Sequence, residues 1–222
     1  LKRAIPCIYD GLNDASRKIL YGALVDNKLY NTRKIITQVA GTIGEITGYH
    51  HAETSLYNVL IGMAQGYTGS NNIPYFQNLG QFGTLHHMGK DHSAPRYLNT
   101  MIEAIVKKLI HPMDKPLLEH NYNDAHPVEY TFYMPVMPLI LINGAENMAC
   151  GFSTTIPSYN PIDLAEKIIT WLDTETFGDK PLMPWYRNYK GTIELVNEGG
   201  KNVAWTSRGI LQKCNDKKGW WE

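Results

Sequence analysis

The sequence predicts an α+β chain, helical in its first part and mixed α/β in its second, on three observations. Apolar residues recur at helical spacing in three successive stretches before residue 68. A β-branched and aromatic run occupies residues 130–142, and the tail from Gly191 alternates apolar with polar residues.

Taken in order, Asp14 caps a first helix, whose Ile19, Leu20, Ala23 and Leu24 share one face. Ile35, Ile36, Val39, Ala40 and Ile43 repeat that spacing, and Leu56, Val59, Leu60, Met63, Ala64 and Tyr67 repeat it again. Residues 69–90 turn to Gly, Asn and His without period, as loops or short hairpin strands do. Thr100 and Glu103 have capping-box spacing for a fourth helix through Met101, Ile105, Val106 and Leu109, which Pro112 stops. The polar stretch from Pro112 to Pro127 suits a boundary, and Tyr130 to Ile142 reads as a buried strand pair broken by prolines. Asn160 caps and Pro161 opens one more helix, with Leu164, Ile168, Ile169 and Leu172 inward. Gly191 to Leu211 reads as a meander turning at Gly199-Gly200. The two parts divide near residue 136, with no internal repeat.

With 222 residues, 43% hydrophobic and 19% charged, the chain can bury a sizeable core. The apolar run Leu139 to Ile142 is far shorter than the ~20 residues of a membrane span. Cys7, Cys150 and Cys214 are odd in number and widely spaced, against a disulfide framework or a cysteine zinc site and in favour of a reducing compartment. The chain opens at Leu1 rather than Met and ends on an aromatic-rich stretch, the pattern of a segment of something longer. Net charge is zero, yet residues 1–100 carry nine Lys/Arg against six Asp/Glu and five of the eight histidines. That asymmetry permits a nucleic-acid partner without demanding one.

Tyr49-His50-His51-Ala52-Glu53 stands at the junction of two predicted helices, where clustered imidazoles can bind metal, hold phosphate or move protons. A solvated helix cap is the plain alternative. His86, His87 and His92 around Lys90-Asp91 open a zinc-hydrolase reading, which the absence of His-Glu-x-x-His spacing weakens. Gly69-Ser-Asn-Asn72, Gly80-Gln-Phe-Gly83 and Gly89-Lys90 would let a backbone approach a ligand, although ordinary loops share this composition. No Gly-x-x-x-x-Gly-Lys-Ser/Thr occurs, so nucleotide hydrolysis is not supported. Arg96-Tyr97 places a phenol beside a guanidinium, which can stabilise charge developing on a phosphate under attack; surface packing would leave the same dipeptide.

One ordered series joins these pieces: Arg3-Ala-Ile-Pro6, Asp10-Gly-Leu12, Arg17-Lys-Ile-Leu20, Tyr49-His-His51-Ala-Glu53, Gly69-Ser-Asn-Asn72, Gly80-Gln-Phe-Gly83, Gly89-Lys-Asp91, Ala94-Pro-Arg-Tyr97 and Leu141-Ile-Asn-Gly-Ala-Glu146. It resembles the DNA breakage-reunion region of type IIA DNA topoisomerases, in their eukaryotic and large-DNA-virus branch more than in bacterial gyrase. The likeness covers roughly residues 1–195, and no motif follows residue 196.

The resemblance implies a winged-helix domain over residues 1–136 and the start of an α/β tower domain over 137–222, both lining a DNA gate. It matches Tyr97 to the nucleophile that leaves a 5′-phosphotyrosyl link and a free 3′-hydroxyl, and Arg96 to the arginine supporting that phosphate. His50 and His51 match a histidine pair near the scissile phosphate. Arg3, Asp10, Arg17, Lys18 and Lys90 fall at DNA-binding positions, and Met148 where an apolar side chain wedges between base pairs. There are two departures: Asn13-Asp14 stands for the usual Lys-Pro, and Ala52 for the glycine of His-His-Gly.

A full enzyme of this kind uses ATP and magnesium, bound by an ATPase module and a TOPRIM module that have no counterpart here, and no metal ligands are expected in this chain. The implied partners are double-stranded DNA, a second copy in a homodimer, and those modules of the same parent. The implied location is intracellular, in nucleus or cytoplasm, viral hosts included. The alternatives are a noncatalytic winged-helix DNA-binding module, in which Tyr97 only packs, and a histidine-metal hydrolase.

Overall fold

The computed structural model describes residues 3–178, 181–196, 204–211, 213–215 and 220–221. Helix α1 (Asp14–Val25) starts one residue earlier than expected: the Asn13 side chain accepts the Ser16 N–H at 2.9 Å, and Asp14 lies in the first turn. The residue that departs from the usual lysine is therefore a helix cap. The short helix α2 (Asn27–Asn31) and strand β1 (Lys34–Ile35) lead into α3 (Ile36–Thr47) and α4 (Glu53–Ala64). Helices α1, α3 and α4 pack on one another through Ile19, Leu20, Ala23, Val39, Ile43, Leu56 and Leu60, all buried. Gly22 permits the close approach, because a Cβ there would lie 2.8 Å from the Ile43 side chain.

After α4 the chain runs without regular structure apart from single 3-10 turns at Leu85–His87 and Pro95–Tyr97. Strand β2 (Asn99–Thr100) pairs antiparallel with β1, setting Lys34 opposite Thr100. The expected capping box does not form. The Thr100 hydroxyl donates to the Gln77 carbonyl at 2.7 Å, and helix α5 (Ala104–Leu109) begins only after Glu103, whose side chain makes no cap.

The polar stretch folds as a 3-10 turn (Pro112–Leu117) and a hairpin of β3 (His120–Asn123) and β4 (His126–Tyr130). Asp124 and Ala125 both have positive φ at its tip, the conformation tight hairpins require. The expected strand pair over 130–142 is not present: residues 131–138 are irregular, and Leu139–Asn143 is helix α6. Strands β5 (Ala145–Ala149) and β6 (Phe152–Ile156) form an in-register hairpin. Helix α7 (Pro161–Thr174) starts as expected, with Asn160 accepting the Ile162 N–H at 2.9 Å. Of its predicted inward residues Leu164 is buried and Ile168 half-buried, whereas Ile169 and Leu172 are exposed. Strands β7 (Thr192–Val196) and β8 (Ala204–Arg208) pair antiparallel, as do β9 (Lys213–Asn215) and β10 (Trp220–Trp221). The proposed Gly199-Gly200 turn lies outside the described residues.

One buried cluster runs through the chain from Leu12 to Leu164 and takes in Tyr133, Leu139 and Ile142. Mixed α/β architecture is therefore correct, with its elements held on a shared core.

Candidate functional site

Tyr97 is 66% exposed although its neighbour Leu98 is completely buried. The contrast follows from the backbone. Leu98 accepts the Ile36 N–H at 2.9 Å and Asn99 exchanges two hydrogen bonds with Leu79, so the chain is held on both sides just past the tyrosine. The 3-10 turn closes with the Tyr97 N–H on the Ala94 carbonyl and presents Arg96 and Tyr97 to solvent. The Arg96 guanidinium carbon lies 4.8 Å from the centre of the Tyr97 ring. The same anchor sets the tyrosine next to the start of α3, whose first turn has no side-chain cap. Uncapped helix N-termini attract anions.

The loop before this turn is braced from within. Asp91 accepts the Thr84 N–H and the Thr84 hydroxyl, both at 2.8 Å, and Ser93 donates to Gln81 at 2.9 Å. The backbone hydrogen bond from Thr84 is the leading cause holding the Asp91 pKa below its ordinary value. Gly83 rests on Gly89, where a Cβ would come within 2.5 Å of the Gly89 backbone, so the glycines expected to cradle a ligand instead let the loop close. Gln65, from the end of α4, donates to the carbonyls of Phe82 and Gly89 at 2.8 and 3.0 Å. Nothing in the local sequence marks Gln65 for that part. His86, His87 and Lys90 remain exposed on the loop's outer side.

His50 and His51 are exposed in the linker between α3 and α4. His50 meets Asn123 of the hairpin at 3.2 Å, and His51 packs edge-on against Tyr49. Tyr97 stands at the start of α3 and the histidines just past its end, so the twelve residues of that helix, about 18 Å, separate them. Arg96 and Tyr97 thus stand by one end of α3, and His50 and His51 by the other. Ala52 has φ −53°, a conformation open to any residue, so the missing glycine leaves no strain.

Three residues expected at DNA pair with other groups of the protein, Asp10 and Arg17 buried and Lys18 half-buried. Arg17 donates to both carboxylate oxygens of Asp10, at 2.9 and 3.1 Å, and to the Leu12 carbonyl; both side chains are buried. Asp10 also accepts the N–H groups of Leu12 and Tyr133. Burial would lower the Arg17 pKa, but the hydrogen bond and charge of Asp10 outweigh it and hold it above its ordinary value. Lys18 bridges Glu129 at 2.7 Å and the Thr47 carbonyl, tying α1 to β4 and to the end of α3. Each of these charges has an opposite partner within the protein. Arg3 is exposed.

The Asn71 and Asn72 amides are also structural. Asn71 donates to two carbonyls at the end of α4, and Asn72 to those of Ile142, Tyr159 and Trp185. Asn143 exchanges two hydrogen bonds with the Ile73 backbone. Met148, by contrast, is 83% exposed opposite Ser153 in the β5–β6 hairpin. Among the described residues no group of three or more His, Cys, Asp or Glu side chains could hold a metal ion, and no helix is long and apolar enough to cross a membrane.

The fold and this surface define a mixed α/β protein that presents an arginine–tyrosine pair from a braced turn. The chain belongs to the family of DNA gyrase/topoisomerase IV A subunits, whose pattern matches residues 3–218. It is 40% identical over 194 residues to DNA topoisomerase 2 of Bombyx mori, covering 86% of this chain and 12% of that protein. It is 36% identical over 211 residues to DNA topoisomerase 2 of Acanthamoeba polyphaga mimivirus, covering 95% and 16%. The DNA-binding, cleavage and re-ligation domain of Plasmodium falciparum topoisomerase II superposes with a TM-score of 0.89 at 36% identity, over 96% of this chain and 28% of that one. The chain thus spans about an eighth of the silkworm relative. Its likeness lies with eukaryotic and viral enzymes, as the motif series indicated, and the family pattern extends past residue 196.

Proposed function

We propose that this chain is the tyrosine-bearing part of a type IIA DNA topoisomerase. In this reading residues 1–136 are a winged-helix domain, and residues from 137 begin a tower domain. The Tyr97 hydroxyl loses its proton to solvent and attacks a phosphodiester of the gate duplex. A bond forms between the tyrosine oxygen and the 5′-phosphate, and the 3′-oxygen leaves and is protonated to a free hydroxyl. The bond is exchanged rather than lost, so the reverse attack reseals the strand. Arg96 neutralises charge building on the phosphate, and the first turn of α3 adds its dipole. The observation that carries the reading is the exposed Tyr97 beside Arg96 on a turn anchored at Leu98 and Asn99.

Lys90 and Arg3, exposed members of the family series, contact phosphate, with His50 and His51 meeting the duplex about an α3 length away. Met148 is the wedge, entering a base step and being offset by the extra surface that bent DNA reaches. The described residues do not fit a magnesium site, and the sequence has no Gly-x-x-x-x-Gly-Lys-Ser/Thr loop. In the reading, magnesium and ATP belong to other modules of an intracellular, homodimeric parent. The test grafts this chain in place of the matching 194 residues of the silkworm enzyme. A covalent adduct with labelled duplex is expected on denaturing gels, and Tyr97→Phe should abolish it while duplex binding persists. An adduct surviving in Tyr97→Phe refutes the assignment.

A further inference from the structure

Helix α4 is closed by Gln65, whose N–H donates to the Ile61 and Gly62 carbonyls at 3.1 and 3.3 Å and whose own carbonyl accepts the Asn71 amide at 2.9 Å. The side chain therefore leaves the helix from a fixed point. It crosses to the loop between Phe82 and Gly89 and donates to the carbonyl at each end, at 2.8 and 3.0 Å. Both partners are acceptors, so only the amino group of the amide can face them. A Cβ at Gly89 would collide with that amide, and Gly89 has φ +74°, so the contact suits glycine.

The bonded carbonyls stand where this loop meets the turn that carries Tyr97. Phe82 follows Gln81, whose carbonyl accepts the Ser93 N–H at the foot of the Ala94–Tyr97 turn. Within the loop the Gly89 N–H closes on the Thr84 carbonyl, and the Thr84 N–H on Asp91. These bonds shape the loop, and the Gln65 amide joins that shape to α4 across 17 and 24 residues of chain. On the other side the Leu98 carbonyl accepts the N–H of Ile36, the first residue of α3. Tyr97 is thus held between two helices, through Leu98 to α3 and through Gln65 to α4.

We infer that Gln65 is a positioning residue for strand cleavage, setting the Arg96–Tyr97 turn against α4 through the loop it clamps. The inference rests on the reading of Tyr97 as the nucleophile. Its structural half is tested in the 222-residue chain by hydrogen exchange. Gln65→Met keeps the length of the side chain and removes the donors. The Gly89 and Ser93 amides should then exchange about thirtyfold faster, the worth of two neutral hydrogen bonds, while Ala40 and Ile43 in α3 keep their rates. The chemical half is tested in the silkworm enzyme carrying this chain. At saturating duplex Gln65→Met should form the adduct about 10²-fold more slowly, the cost of a misplacement of about 1 Å, with duplex affinity unchanged. Should Gln65→Met fail to fold, Gln65→Glu serves in both tests, because it keeps the shape and sets a carboxylate against the two carbonyls; the same split is expected.

Unchanged exchange at Gly89 and Ser93, equal acceleration at Ala40 and Ile43, or adduct formation at the parent rate each overturn the inference. So does a loss of duplex affinity that accounts for the slower rate, since Gln65 would then only support binding. A graft that forms no adduct with Gln65 in place brings down the Tyr97 reading itself and the inference with it, a result that hydrogen exchange cannot give.

Discussion

The segment from Asp10 to Lys18 and the loop from Gly83 to Tyr97 belong to the same family series, yet the protein uses their charges in opposite ways. In the first, Arg17 and Lys18 are drawn inward onto Asp10 and Glu129. In the second, hydrogen bonds inside the loop satisfy the backbone and leave Lys90, Arg96 and Tyr97 facing water. A motif can therefore mix residues that build a site with residues that act in it. Whether a carboxylate lies within reach decides which is which.

Asp10→Ala should break the first region most severely. It strands a buried guanidinium, which typically costs 3–5 kcal/mol, and chemical denaturation should read a loss of that order. A loss below about 1 kcal/mol would mean that Arg17 can reach solvent, and the contrast would fail. Arg96→Ala should do the converse, leaving stability within about 0.5 kcal/mol while slowing cleavage by the grafted enzyme ~10²–10³-fold. Matched losses of stability and rate would erase the distinction.

How much of this was legible in the sequence depended on where each partner sits. Helices α1, α3, α4 and α7 announced themselves because each has a face against protein and a face against water, which writes a 3.6-residue period. Helix α6 did not: Leu139, Ile140 and Ile142 are all buried, and a short apolar run buried all round has no period to read. The Thr100 box failed because its hydroxyl was claimed by Gln77, 23 residues away. Lys18 looked like a phosphate contact because Glu129, its partner, is 111 residues distant. Arg96 and Tyr97 stood out only through the family series, since local sequence does not show that Leu98 anchors the turn.

Acid should loosen the loop. Its hydrogen bonds hold Asp91 below the ordinary carboxylate value of 3.8, so the bracing is present above that pH and is lost as pH falls through the lowered folded value. Hydrogen exchange at the Thr84 amide should therefore stay protected at pH 5 and lose protection on acidification below 3.8. Protection unchanged until the whole chain unfolds in acid would contradict it.

Asn13→Lys joins both regions in one residue. It removes the α1 cap, costing about 1 kcal/mol, and restores a cation that should steepen the salt dependence of duplex binding by about one unit. An unchanged slope would mean that another cation already fills that place.

Exposure alone does not single out the nucleophile, because Tyr9 and Tyr122 are 62% and 70% exposed, close to the 66% of Tyr97. What distinguishes Tyr97 is Arg96 against its ring and the start of α3 beside it. The most direct measurement digests the covalent adduct of the grafted enzyme and locates the nucleotide-bearing residue by mass spectrometry. A single modified peptide is expected, with a 5′-linked nucleotide on Tyr97. The same modification on Tyr9 or Tyr122, or spread among the three, would contradict the account.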